Sequence, residues 1–181
     1  MKSMVAFYSK TGNNRFLAKK IADALSCDIH EIKPRLNAMP LLLLFSLLKT
    51  SLGIKALRHK ISEYDRIIVC GPIWMGQLIS PLRDFIRKYR ASIKKLYFAT
   101  CCGGGDAEKD GKFGYAKVFQ QVKSILGDTC ALCEAFPIML IVPDNKKDDS
   151  QAIMNIRLSD DTFKGEILRK FEDYIQKARE E

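Results

Sequence analysis

The sequence offers little material for several common kinds of site. It holds only two histidines, His30 and His59, and one tryptophan, Trp74. Neither histidine has sequence neighbours that suggest a metal centre or a nucleophile–base triad, so no metal is expected and no side chain stands out as catalytic. No apolar run reaches the roughly 18 residues of a membrane span. The phosphate-binding pattern G-x-x-x-x-G-K-[ST] and the dinucleotide pattern G-x-G-x-x-G are both absent. The chain enters strand-like sequence at once, so no signal peptide is expected. Its six cysteines (27, 70, 101, 102, 130 and 133) are therefore expected to be reduced in a cytoplasmic protein, with membrane association left open.

Acid is also scarce in one third of the chain. Residues 1–60 carry a net charge of +8 and the remaining residues +1, within a total of +9. Such a surface suits a phosphorylated ligand, an acidic partner or an anionic membrane. Nucleic acid is not expected, because the basic residues lack interleaved aromatics and no nucleic-acid-binding motif is present. At 181 residues the chain reads as one domain, residues 1–181, able to bury roughly 70% of its unfolded surface.

The stretch Met4-Val5-Ala6-Phe7-Tyr8 is apolar and gives way to Ser9-Lys10-Thr11-Gly12-Asn13-Asn14. A buried strand that breaks into hydroxyls, a glycine and amides at the start of a helix forms an anion cradle, because the helix N-terminus presents free N–H groups and a positive dipole end. A phosphomonoester is the expected guest. Leu17, Ala18, Ile21, Ala22 and Leu25 then predict an amphipathic helix over 14–26, with Asn14 as N-cap.

Further strands are predicted at 28–32, 66–70, 96–100 and 132–142, the last broken near Pro137. Helices are predicted over 80–91 and from Tyr115 to a stop at Gly127. A final helix carries Phe163, Ile167, Phe171, Tyr174 and Ile175, with Asp160 and Asp161 in its first turn, after a polar loop at 143–150. Alternating strands and helices predict an α/β three-layer sandwich: a five-stranded parallel sheet in the order 2-1-3-4-5 with helices on both faces. Ligands of such sheets bind at the carboxyl ends of the strands. That brings together residues 9–14, 72–77 and 101–106.

At these three loops the sequence resembles the flavodoxin family. Ser9-Lys10-Thr11-Gly12-Asn13-Asn14 is similar to the family's [ST]-x-T-G-x-[TN] phosphate loop, Pro72-Ile73-Trp74-Met75-Gly76-Gln77 to its first flavin loop, and Cys101-Cys102-Gly103-Gly104-Gly105-Asp106 to its second. The resemblance implies a flavodoxin-like fold and a flavin mononucleotide (FMN) cofactor held by those residues. It also implies that Trp74 lies against the ring and that the Met75–Gly76 peptide turns toward flavin N5, favouring the half-reduced state. Backbone N–H groups of 101–105 would meet the pyrimidine end, with Asp106 facing solvent.

Two departures bear on function. The second loop lacks the aromatic residue that sandwiches the ring in many flavodoxins, although Phe113 or a partner subunit could close the site, and the chain is basic where the electron carriers are typically acidic. The resemblance therefore implies an FMN-binding electron-transfer protein. Two forms remain open, an FMN-dependent NAD(P)H or quinone oxidoreductase and a one-electron carrier that serves a redox partner protein. A flavin-free binding domain is a further alternative. A phosphoryl-accepting receiver domain shares the sheet order, but its acids are missing from the strand ends.

Two segments lie outside this scheme. Residues 34–60 form an apolar and basic insertion around Pro40-Leu41-Leu42-Leu43-Leu44-Phe45-Ser46-Leu47-Leu48, open to packing on the domain, a homodimer or peripheral membrane contact through 40–53, or a lid. Cys130-Ala131-Leu132-Cys133 matches C-x-x-C. It precedes a strand rather than opening a helix, so structural thiols on opposite strand faces are expected.

Overall fold

The computed structural model describes residues 1–103, 114–143, 145 and 149–180. Three strands, β1 (Ser3–Phe7), β3 (Arg66–Cys70) and β6 (Leu96–Cys102), are buried along their whole length. Their runs are apolar on both faces because helices cover both. With the edge strands β2 (Asp28–Glu31) and β7 (Cys130–Pro137) they form a parallel sheet in the order β2-β1-β3-β6-β7, the expected 2-1-3-4-5 arrangement. A separate antiparallel hairpin, β4 (Ile73–Trp74) and β5 (Gln77–Leu78), follows β3.

Strand periodicity divides the core in two. Met4, Ala6, Ile67, Val69, Leu96 and Phe98 face α3 (Ser80–Tyr89) and α4 (Tyr115–Leu126). The alternate residues Val5, Phe7, Ile68, Cys70, Tyr97 and Ala99 face α1 (Asn13–Leu25) and α6 (Glu166–Glu180). Each switch of face follows from the two-residue repeat of a strand. The inserted helix α2 (Met39–Leu47) lies on the first side, and α5 (Ser150–Asn155) is a short helix within the connection expected to be a polar loop up to residue 150. Among the described residues, no helix is long and apolar enough to cross a membrane.

Several local expectations change. The N-cap of α1 is Gly12, at φ 102°, not Asn14, which is buried inside the first turn. The final helix starts at Glu166 behind Gly165, whose φ of 65° turns the chain into it, so Asp160 and Asp161 precede the helix rather than occupy its first turn. The last strand ends at Pro137, whose ring fixes φ and removes a ladder donor, and a 3-10 turn over Ile138–Ile141 replaces the strand predicted beyond it.

The C-x-x-C pair changes most. In the β6–β7 ladder Leu96 pairs with Cys130 and Tyr97 with Leu132, so Ala131 is an extra, bulged residue. The bulge cancels one alternation and turns both thiols to the same face, with Sγ atoms 3.5 Å apart. The expectation of opposite faces is thus overturned by a register irregularity.

Candidate functional site at the carboxyl edge of the sheet

The chain leaves β1 through Tyr8 and forms a tight loop before α1. The Gly12 N–H donates to Ser9 Oγ at 3.1 Å, and the Phe16 N–H closes the first helical bond on the Gly12 carbonyl at 2.9 Å. Gly12 is in the left-handed region, and a Cβ built on it would meet nothing within 4 Å. The glycine is therefore required by backbone conformation, while the space beside it remains open. Lys10 and Thr11 are exposed and Ser9 is half-buried. Free N–H groups at the start of α1, the Ser9 hydroxyl and the open space make a cradle that fits a phosphate.

The two asparagines serve as ties. Asn13 Oδ1 accepts the Leu158 N–H at 3.0 Å, anchoring the segment after α5. Asn14, 3% exposed, accepts the Cys101 N–H on Oδ1 at 2.8 Å and donates from Nδ2 to the Cys101 carbonyl at 2.9 Å. The Cys70 thiol adds a bond to the Asn14 carbonyl at 3.4 Å. One residue thus joins the first turn of α1 to the ends of β3 and β6. The Cys101 N–H, expected to face a flavin, is committed to Asn14. Burial raises the thiol pKa values of Cys70 and Cys101, and each thiol further disfavours a charge on a neighbour. Both therefore remain neutral and structural.

The second loop, Pro72 and the β4–β5 hairpin, turns through Met75 at φ 51° and Gly76 at φ 66°. Two consecutive positive φ values suit a two-residue hairpin, but a methionine rarely occupies one. Its side chain stands 52% exposed at the tip. The hairpin is held from α4 by Gln121, whose Nε2 donates to the Gly76 carbonyl at 3.1 Å and whose Oε1 accepts the Leu78 N–H at 3.0 Å. Sequence reasoning missed Gln121; its signal was an amide among the apolar residues Val118, Val122 and Ile125 of the same helix. Ile73 and Trp74 are half-buried, and Trp74 meets Tyr8 edge-on with centroids 6.3 Å apart. Tyr8 in turn donates to Asn37 Oδ1 at 3.0 Å, linking the insertion to both loops.

In the third loop Cys102 is buried and Gly103 exposed, again with nothing near an added Cβ. Gly104, Gly105, Asp106 and Phe113 lie outside the described residues. Beside the cradle is a cavity of about 420 Å³ lined by Lys10, Arg15, Lys33, Arg35 and Lys55. Its acid, Glu31, is held by Arg15 at 2.6 Å, so the remaining cations set an anion-attracting potential. His30, in β2, and His59 pack against each other at 5.5 Å, and burial and the second ring lower the His30 pKa. No group of three His, Cys, Asp or Glu side chains among the described residues is arranged to hold a metal.

Comparison with known proteins bears on the fold that carries this site. The family model described as a flavodoxin domain matches residues 50–137. No curated protein matches the chain in sequence. Among solved structures, a flavoprotein in complex with FMN from Lactobacillus acidophilus is similar over 74% of this chain and 91% of its own, at 14% identity and a TM-score of 0.60. An NADPH-quinone reductase from P. pentosaceus is similar over 97% and 96%, at 14% identity and a TM-score of 0.57. A flavodoxin from Streptococcus pneumoniae covers 99% of both chains, at 12% identity and a TM-score of 0.53. The flavodoxin-domain match over residues 50–137, the 2-1-3-4-5 sheet and the likeness to these structures together give the chain a flavodoxin-like fold.

Proposed function

We propose that the protein binds FMN at the carboxyl edge of its sheet and transfers electrons to a small acceptor of the quinone class, with NAD(P)H as donor. The observation that carries the reading is the convergence of three loops: Asn14 ties the cradle to β6, and Gln121 fixes the hairpin beside it. The cradle fits the phosphate end, since Gly12 leaves open space at a helix N-terminus. The FMN bound by the Lactobacillus acidophilus flavoprotein, on the same fold, supports the same cofactor here.

When bound, FMN supplies hydride and single-electron chemistry. The chain's residues supply position and environment. Ser9 and the first N–H groups of α1 hold the phosphate, and Lys10 stays in solvent as a long-range cation. Trp74, braced by Tyr8, offers an apolar wall that excludes water. The Met75–Gly76 peptide, between two residues already at positive φ, presents backbone polar groups at the hairpin tip. Cys102 and Gly103 bring main chain without bulky side chains to the opposite loop. The basic wall of Lys33, Arg35 and Lys55 attracts a phosphorylated donor. The NADPH-quinone reductase of P. pentosaceus, which shares the fold, supports this pairing of donor and acceptor.

The test is reconstitution with FMN followed by anaerobic mixing with NADPH or NADH. Flavin absorbance should bleach within the mixing experiment and return on adding a soluble quinone. Tight FMN binding without bleaching by either nicotinamide would leave a carrier that serves a redox protein. Failure to retain FMN would overturn the reading altogether.

A further inference from the structure

We infer that the leucine face of α2 docks on an anionic lipid surface. The helix buries Leu42 and Ser46 against the domain and leaves Leu44, Leu47 and Leu48 exposed at 48%, 45% and 60%. These three positions fall on one side of the helix, opposite the buried pair. Leu36 and Met39 extend the apolar surface at its entrance, 53% and 41% exposed.

The exposure is built in by a polar seam. Ser46 Oγ donates to the Leu42 carbonyl and accepts the Ser80 N–H at 2.9 Å. Arg83, 3% exposed, caps the C-terminal end of α2 by donating to the carbonyls of Phe45, Ser46 and Thr50. Asp84 accepts the N–H groups of Leu52 and Gly53 at 3.1 and 2.9 Å. Rolling α2 to hide its leucines would break these buried bonds. The apolar face therefore needs an external cover.

Charge selects the cover. Between residues 33 and 60 there are six Lys or Arg and no Asp or Glu. All six, Lys33, Arg35, Lys49, Lys55, Arg58 and Lys60, are exposed. A symmetric pairing of two copies would set this collar against itself. A membrane bearing anionic headgroups matches both features, since leucines enter the interface while lysines meet phosphates. Nine helical residues are about 14 Å long and cannot span the hydrocarbon layer, so the contact is peripheral. Asn37, which leads into α2, is bonded to Tyr8 beside Trp74, so docking would present the proposed flavin edge to a lipid-borne acceptor. That last step rests on the proposed function; lipid binding does not.

The test is co-sedimentation of the full chain with phosphatidylcholine vesicles with and without roughly 30% phosphatidylglycerol. Binding should be at least about tenfold stronger with the anionic lipid and fall at about 0.5 M salt. The variant Leu44→Gln/Leu47→Gln/Leu48→Gln should lose at least about tenfold in vesicle binding, with an unchanged circular dichroism spectrum and urea midpoint. Equal binding by the variant, or no binding by the wild type, overturns the inference. So does a stable dimer in light scattering that the triple substitution dissolves, which would assign the face to a second copy. A parallel FMN titration separates the two readings: vesicle binding without FMN retention removes only the proposed function, and the converse removes only the docking.

Discussion

Asn14 and Cys101 exchange two hydrogen bonds, side-chain amide to peptide unit, across 87 residues of sequence. Because the pair is buried, deleting one partner strands the other. Asn14→Ala should lower stability by about 2–3 kcal/mol and weaken FMN retention, read by urea unfolding and by a flavin fluorescence titration. Asn14→Asp keeps the acceptor for the Cys101 N–H but faces a carboxylate to its carbonyl, and should be no better than alanine. A wild-type urea midpoint in either variant would contradict the role assigned to the tie.

Gly71 is set by a neighbour rather than by φ. A Cβ there would lie 2.7 and 2.8 Å from the two Leu82 methyls and 3.1 Å from the Tyr8 carbonyl. Gly71→Ala should cost about 1–3 kcal/mol through overpacking. Combining it with Leu82→Ala should cost less than the two single losses added together, since the alanine vacates the clash. Additive losses in the double-mutant cycle would rule out this contact as the cause.

Met75 holds a backbone conformation that glycine adopts without strain. Met75→Gly should raise stability by about 0.5–1 kcal/mol if the turn is its only role. At Gly76, an alanine should destabilise by a similar amount. Midpoint potentials of the FMN-loaded variants would report separately whether the turn also contacts the cofactor.

The thiols should react in a defined order. Hydrogen bonding from Cys133, opposed by burial and aided by the Lys123 ammonium, lowers the Cys130 pKa, whereas the same bond and burial raise that of Cys133. Burial pushes Cys27 up to about 11. Since the thiolate is the reactive form, iodoacetamide at neutral pH should label Cys130 ahead of Cys133 within this pair. Cys27 should respond only as pH climbs toward its raised value. Peptide mass mapping reads the order, and Cys133→Ala should slow Cys130 by removing the hydrogen-bond donor to its thiolate.

Burial on both faces made the central strands legible, because apolar runs such as Arg66–Cys70 leave one reading. The cradle was legible in its residue types, since hydroxyl, glycine and amide must follow the strand for an anion to be held there. Asn14 was misread because an N-cap is a local pattern, whereas its partners lie at Cys70 and Cys101. The bulge at Ala131 could not be read from periodicity, for it consists in the failure of periodicity at one position. Gln121 has the same character: its use depends on a hairpin 45 residues from it.

The antiparallel bridge between Pro34 and Ile54 brings the two ends of the insertion side by side. A neck of this kind would let a short turn replace residues 35–53 without disturbing the strands, so in chain connectivity the segment is a detachable module. Chemically it is not, for excision would remove the Phe45, Ser46 and Thr50 carbonyls to which Arg83 donates and the Leu52 and Gly53 N–H groups that Asp84 accepts. A minimal version of this domain therefore requires redesign of those two positions on α3 together with removal of the loop.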